Sequence, residues 1–401
     1  MMKVALLLLV CAALSGVPRP AASALVESNP AEKVREAVSL IDRDYWRANT
    51  NPAWQQAKQA LLAGRYGSTG QAYQALAEEL DRADDPGLYL VSAEEFRARE
   101  DVLDARRTGT GLPAFAIDWD RASGGVRVVT ALGDSPAARA GIRPQDVIVS
   151  IDGQAIRTMS HPKVAEALGS EAKGKVQLVI ERDGRLRRVT LTPSKEPVDA
   201  VQFSRRSLAG KMIGYIRVVL FTPSAGDRVR YAVTSLERGG VDGYVLDLRN
   251  NPGGLFSSAE EAASAFTTGV LGTEVRGNKG PASPLVTFGA PLTGKPLFVL
   301  IDGGTASAAE LLAGGLRALH RAVLVGAPTF GSGQTQSYVP LSDGYGVMVP
   351  TAEIRSPDGK ALPPEGIRPD LEVGGDFVSE REAGTRRDAQ FRQAVAVLAH
   401  S

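Results

Sequence analysis

The stretch Val299–Leu319 reads VLIDGGTASAAELLAGGLRAL. An apolar run, Leu297–Ile301, stops at Gly303-Gly304, and after Thr305-Ala306-Ser307 an apolar pattern of helical spacing runs from Ala308 to Leu319. A buried strand that ends at glycines and feeds a helix presents one small side chain at the turn, here Ser307. Free N–H groups and the dipole at a helix start favour developing negative charge. That suits a nucleophile attacking a carbonyl. A serine in this place also serves as a plain helix N-cap, and on this stretch alone the cap is the simpler reading.

Working outward, residues 196–377 alternate strands with helices. Met212–Val218 reads as a strand, Ala225–Arg238 as a helix, and Tyr244–Leu248 as a buried strand ending in Arg249-Asn250-Asn251-Pro252-Gly253-Gly254. Ser258–Thr267 is helical, and Ala322–Val325 is a further strand. Alternation of this kind predicts an α/β core with a sheet covered on both faces, its function carried by loops at strand ends. Residues 378–401 predict a C-terminal helix, with Phe391, Val395 and Leu398 on one face. Residues 25–107 read as a helical region: Ala31–Tyr45, Pro52–Ala63, Gly70–Ala83 and, after the break Asp84-Asp85-Pro86-Gly87, Ser92–Leu103. Residues 108–195 change to short β-type runs, Ala114–Trp119, Val126–Val129, Val147–Ile151, Val176–Glu181 and Arg187–Thr192, with helical patches at Pro136–Ala140 and His161–Leu168. The whole is a multidomain α+β arrangement around an α/β core.

The 401 residues carry 23% charged side chains and a net charge of +1, with no basic patch to suggest nucleic acid. Residues 1–24 read as a secretory signal: Lys3, an apolar run from Val4, and Ala22-Ser23-Ala24 as a cleavage site. That run is too short to span a bilayer. Without Lys3 and Arg19 the 46 basic residues become 44, against 45 acidic ones. The single cysteine, Cys11, leaves with the signal, so the mature chain has no disulfide, thiol nucleophile or Cys metal site. His161, His320 and His400 are scattered and make no zinc-ligand spacing. No metal or organic cofactor is expected, and the expected location is periplasmic or extracellular.

Two strings in the β-rich segment, Ser135-Pro136-Ala137-Ala138-Arg139-Ala140-Gly141-Ile142 and Gln145-Asp146-Val147-Ile148-Val149-Ser150-Ile151-Asp152-Gly153, resemble a PDZ domain. Such domains add a peptide C-terminus to a sheet edge and hold its carboxylate with backbone N–H groups. The resemblance makes Gly109-Thr110-Gly111-Leu112 the carboxylate-binding loop and Pro113–Ile117 the docking strand, where Pro113 removes one ladder donor. Further on, Gly214-Tyr215-Ile216-Arg217, Leu246–Gly254, Thr305–Glu310, Thr329-Phe330-Gly331 and Thr351–Asp370 fall in an order that resembles the carboxyl-terminal processing peptidases, also called tail-specific proteases. The resemblance implies a helical start, a PDZ domain and a serine-peptidase core. It also implies partners that are protein or peptide substrates with exposed C-termini, and leaves a homo-oligomer or an adaptor protein open.

In that family the nucleophile is the serine of a T/S-A-S-A-S-E string, which lands on Ser307, although Ala309 replaces the second serine. The implied oxyanion hole uses N–H groups of Gly253, with Gly254 beside it, and of Ala308. Glycine lets backbone approach substrate, and two convergent donors stabilise a tetrahedral oxyanion. The family's base is a lysine 25 residues after the serine, in a T-F/Y-G-K-G string. Here that position is Ser332, in Thr329-Phe330-Gly331-Ser332-Gly333, while the glutamine that orients the lysine is kept as Gln336. A hydroxyl does not replace a desolvated amine, and loss of a positioned base costs roughly 100- to 10,000-fold. Other candidates fall short. Arg217 fills the histidine position of the tricorn-type relatives and accepts no proton. Glu365 has no histidine to orient, Glu310 is expected to tie the loop down, and His320 ends the Ser307 helix. Lys211 is the nearest lysine by sequence. Two readings follow: a serine endopeptidase that cleaves secreted or periplasmic proteins near their C-termini, or a pseudoprotease that binds C-terminal peptides without cutting them.

Overall fold

A computed structural model describes residues 29–400 apart from Pro86, 105–108, 113–116, 121–123, Asp134, Ser160, 170–173, 375–377 and 379–381. The signal segment with Cys11, and Pro113–Ala116 of the expected docking strand, lie outside the described residues. Among the described residues no helix is long and apolar enough to cross a membrane.

The central sheet has six strands in the order Leu371–Glu372, Val323–Gly326, Leu297–Ile301, Gly243–Asp247, Lys211–Val218, Val201–Leu208. The first five run parallel, and Val201–Leu208 pairs antiparallel at the edge. Side chains alternate between faces with a period of two. Tyr244, Leu246, Val299 and Ile301 enter one core with the helices Ala225–Arg238, Phe256–Ser264 and Ala308–Ala318. Val245, Phe298 and Leu300 enter the other, which the helix Ala389–His400 closes with Phe391, Val395 and Leu398. Both faces are covered, so the strands read as near-continuous apolar runs.

The 89–91 region corrects the sequence reading: Tyr89–Val91 is a strand, paired antiparallel to Gly346–Arg355. Gly346–Arg355 in turn pairs with Gln334–Pro340 and Val270–Val275, neither of which the sequence predicted. The helices Pro30–Asp44, Pro52–Ala63 and Thr69–Arg82 start after Asn29, Asn51 and Ser68, whose side chains accept first-turn N–H groups. Their apolar faces do not close on themselves. They share one core with Val339, Leu341, Val347 and Val349 of the Gln334–Arg355 hairpin. The segment that begins at Ser332 is therefore carried on a hairpin seated in the N-terminal helices.

The β-rich segment forms its own sheet and core, with Ile117–Asp120, Gly125–Val128, Val147–Ile151, Val176–Arg182 and Arg185–Leu191 in that order. The helix His161–Leu168 contributes Val164 and Leu168 to it.

Candidate active site

Adjacent parallel strands deliver two loops to the same edge of the sheet. Gly243–Asp247 leads into Arg249–Gly254, and Leu297–Ile301 leads into Asp302–Ser307. The loops are stitched together. Ala306 N–H donates to Asn251 O at 2.9 Å, and Thr305 Oγ1 donates to Leu248 O at 2.9 Å. Asp302 Oδ1 accepts from Asn250 N–H at 2.9 Å and Gly304 N–H at 3.0 Å. Burial raises the Asp302 carboxyl above its ordinary range, and these bonds oppose the rise.

Ser307 takes φ 53° and ψ −121° at the strand-to-helix turn. A non-glycine residue in that region costs about 1–3 kcal/mol and persists only where its surroundings over-determine it. Ser307 is half-buried between Ala306 and Ala308, which are fully enclosed. Gly253 lies against it. A Cβ on Gly253 would stand 2.7 Å from Ser307 Cβ and 3.0 Å from Ala308 N, so no side chain fits there. The Ala308 N–H, first of its helix, takes no partner among the described residues. The Gly253 N–H differs from expectation. It donates to Asn251 Oδ1 at 2.8 Å, and Asn251 Nδ2 is itself anchored on Val218 O at 2.9 Å. The donor assigned to the oxyanion hole is already engaged within its own turn.

Glu310 is the hub of the site. It is fully buried, and its carboxylate accepts four donors: Ser307 N–H at 2.9 Å, Thr329 Oγ1 at 2.5 Å, Gly331 N–H at 2.8 Å and Ser332 N–H at 2.8 Å. Ser307 and Ser332 share the same oxygen, Oε2. One carboxylate thus holds the Ser307 and Ser332 backbones side by side. Burial raises the Glu310 carboxyl, opposed by its bonds to Thr329, Gly331, Ser332 and Ser307. The expectation that Glu310 ties the loop down matches this geometry.

The region 212–373 matches the model of peptidase family S41, and residues 128–182 match that of a PDZ domain. The carboxyl-terminal-processing protease of Synechocystis is 31% identical over 382 residues, covering 94% of this chain and 88% of the relative. The chain belongs to the carboxyl-terminal-processing proteases of family S41. The chloroplastic carboxyl-terminal-processing peptidase 2 of Arabidopsis thaliana is 32% identical over 358 residues, covering 87% of this chain and 70% of its own. The solved photosystem II D1 C-terminal processing protease superposes with a TM-score of 0.77 at 30% identity, covering 91% of this chain and all of that one.

The other side chains expected as alternative bases sort by position. Lys211 opens its strand at the end of the sheet opposite the Ser307 loop. Arg217 is at the near end, level with Asp247, and is buried. His320 follows the far end of the Ser307 helix. Glu365 belongs to the segment that flanks the base loop: a Cβ on Gly331 would meet Pro364 O at 2.2 Å and Gly366 N at 2.9 Å. The Glu365 side chain is exposed. Gln336 makes no side-chain hydrogen bond among the described residues, and its amide lies against Gly87. No lysine amine is bonded to Ser307 among the described residues; Lys360 pairs with Asp358, Lys295 with Glu237, and Lys33 donates to Ser342.

Beneath the Gly253 turn lies an ion network the sequence did not reveal. Arg249 donates to Asp247 Oδ2 at 2.5 Å and to Asp388 Oδ2 at 2.7 Å, and Tyr215 donates to Asp247 at 2.6 Å, all four groups being buried. Burial alone would raise the Asp247 carboxyl, but the Arg249 guanidinium outweighs it and holds the group at about 2.

The PDZ domain rests on the Asn250 and Gly304 turns beside Ser307. A Cβ on Gly304 would meet Pro144 Cγ at 2.9 Å, and Thr130 Oγ1 donates to Asn250 O at 3.0 Å. The loop Gly109–Leu112 is buried throughout. Its Gly109 N–H donates to Ser194 O at 3.0 Å, its Leu112 N–H donates to Thr110 Oγ1 at 3.2 Å, and its Gly111 O accepts from Leu132 N–H at 3.0 Å. Two of the N–H groups expected to take a peptide carboxylate are therefore occupied internally. Among the described residues no cluster of His, Cys, Asp and Glu could hold a metal ion.

Proposed function

We propose that the chain is a serine endopeptidase of the C-terminal processing class, acting on secreted or periplasmic proteins near their C-termini after its own signal is removed. Ser307 Oγ attacks the scissile carbonyl, and the oxyanion forms beside the Ala308 N–H. The amine leaves with a proton, and water hydrolyses the acyl-enzyme. The observation that supports this reading is the strained Ser307, pressed against a glycine with no room for a side chain and backed by the Ala308 N–H, which has no partner among the described residues. Gly253 joins the oxyanion hole once its N–H leaves Asn251.

Ser332 favours a second reading. Its hydroxyl offers no proton acceptor of useful basicity, so the chain binds C-terminal peptides and cuts them slowly or not at all. One experiment separates the two: incubation of an unfolded substrate with an apolar C-terminus with the mature protein and its Ser307→Ala variant. Cleavage abolished by the substitution establishes the endopeptidase. Equal binding with no cleavage from either protein establishes the pseudoprotease.

A further inference from the structure

A cavity of about 320 Å³ lies at the outer edge of the central sheet, lined by Arg205, Arg206, Leu208, Gly384, Arg386 and Phe391. Neighbouring side chains on the edge strand Val201–Leu208 point to opposite faces. Arg205 turns toward the Ala225–Arg238 side, where it donates to Gly239 O at 2.7 Å. Arg206 turns the other way, its guanidinium carbon 5.8 Å from the centre of the Tyr215 ring. The same ring backs Gly384, whose added Cβ would stand 2.8 Å from it. Arg386 follows in the facing turn, with its carbonyl held by Arg392 Nη1 at 2.7 Å.

Both Arg206 and Arg386 are exposed, and among the described residues neither is paired with a carboxylate. The acid behind the wall, Asp388, is buried and bonded to Arg249. Two unneutralised guanidiniums on one cavity leave a field that a counter-anion lowers. Their planar forks match the oxygens of a tetrahedral oxyanion better than any neutral ligand. We propose that this cavity binds an oxyanion of the phosphate class, either as the free ion or as a phosphomonoester head group.

The cavity wall is joined to the active-site edge through buried contacts. Gly384 N–H donates to Asp388 Oδ2 at 3.0 Å, Asp388 holds Arg249, and Arg249 opens the turn that ends in Gly253 and Gly254. An anion that fixes Arg206 and Arg386 thereby stiffens the support of that turn.

The test is independent of cleavage. Inorganic phosphate is titrated calorimetrically into the mature protein at an ionic strength held constant with chloride. Saturable binding is expected, and an Arg206→Ala/Arg386→Ala double variant should bind roughly tenfold more weakly or worse. Both side chains are exposed, so the melting temperature without phosphate should be unchanged, which separates a lost site from a lost fold. Co-sedimentation with phosphatidic acid vesicles, against neutral phosphatidylcholine vesicles, identifies the source. Arginine-dependent sedimentation assigns a lipid head group, and phosphate binding without it assigns a soluble anion. No heat of binding up to about 10 mM phosphate, or equal binding by the two proteins, overturns the proposal.

Discussion

The Ser307 loop and the Ser332 loop meet at one carboxylate, and they differ in what they keep. The Ser307 loop keeps the parts that depend on side-chain identity: Ser307 in its strained turn, Gly253 where nothing larger fits, and an Ala308 N–H with no partner among the described residues. The Ser332 loop is in place, but the amine that the family resemblance led us to expect there is replaced by a serine hydroxyl. The contrast has a physical reason. Glu310 holds the base loop by the N–H groups of Gly331 and Ser332 and by the Thr329 hydroxyl. Any residue at position 332 other than proline supplies that N–H. The loop therefore keeps its shape whether or not the chemistry is there, and shape and chemistry are separable at this position.

The comparison can be sharpened first where the largest effect is expected. Ser332→Lys should raise cleavage of an unfolded substrate by roughly 100- to 10,000-fold, the usual worth of a positioned base, with thermal stability little changed. Replacing Arg249 by Met leaves Asp247 and Asp388 buried without their shared cation, which should cost about 3–5 kcal/mol in urea unfolding. A smaller loss attacks the hinge between the two sides. Glu310→Gln turns an amide donor toward N–H groups that need acceptors, at about 1–3 kcal/mol. In the Ser332→Lys background it should lower kcat with KM little altered, because it disturbs the alignment of the two loops. Gly253→Ala, measured in the same way, should cost about 1–3 kcal/mol by overpacking against Ser307.

An effect no larger than these is expected on pH. The Asp247 carboxyl is held at about 2, below its ordinary 3.8. A depressed carboxyl stabilises the fold fully above its unfolded value, and that contribution drains as the pH falls through its folded value. Stability should therefore be lost between pH 3.8 and about 2. Glu310 has the opposite sign, since its raised carboxyl makes the fold lose stability as the pH rises above the ordinary glutamate range. Urea midpoints across acidic pH, for the native chain and for Glu310→Gln, separate the two slopes.

What the sequence made legible was local. The strand, glycine pair and helix around Ser307 follow from periodicity and turn residues, as does the tail helix with Phe391, Val395 and Leu398 on its buried face. The Ser307-to-Glu310 spacing is that of a capping box, so the bond from Ser307 N–H to Glu310 was readable in advance. Its three further donors arrive from 19 to 22 residues away and carry no local sign. Tyr89–Val91 was missed because three buried residues make no period, and its partner lies in the 346–348 region. The bond from Gly253 N–H to Asn251 was missed for another reason. Asn-Pro-Gly-Gly announces a tight turn, but which acceptor an N–H finds inside it depends on Asn251 being anchored by Val218.

The most direct measurement of the central claim is the initial rate of cleavage of one unfolded substrate by four proteins: the native sequence, Ser332→Lys, Ser307→Ala, and the double variant. A large gain from the lysine that vanishes when Ser307 is removed is the predicted result. A lysine variant no faster than the native protein, or a gain that survives in Ser307→Ala, would contradict the view that a prepared nucleophile waits beside an intact but baseless loop.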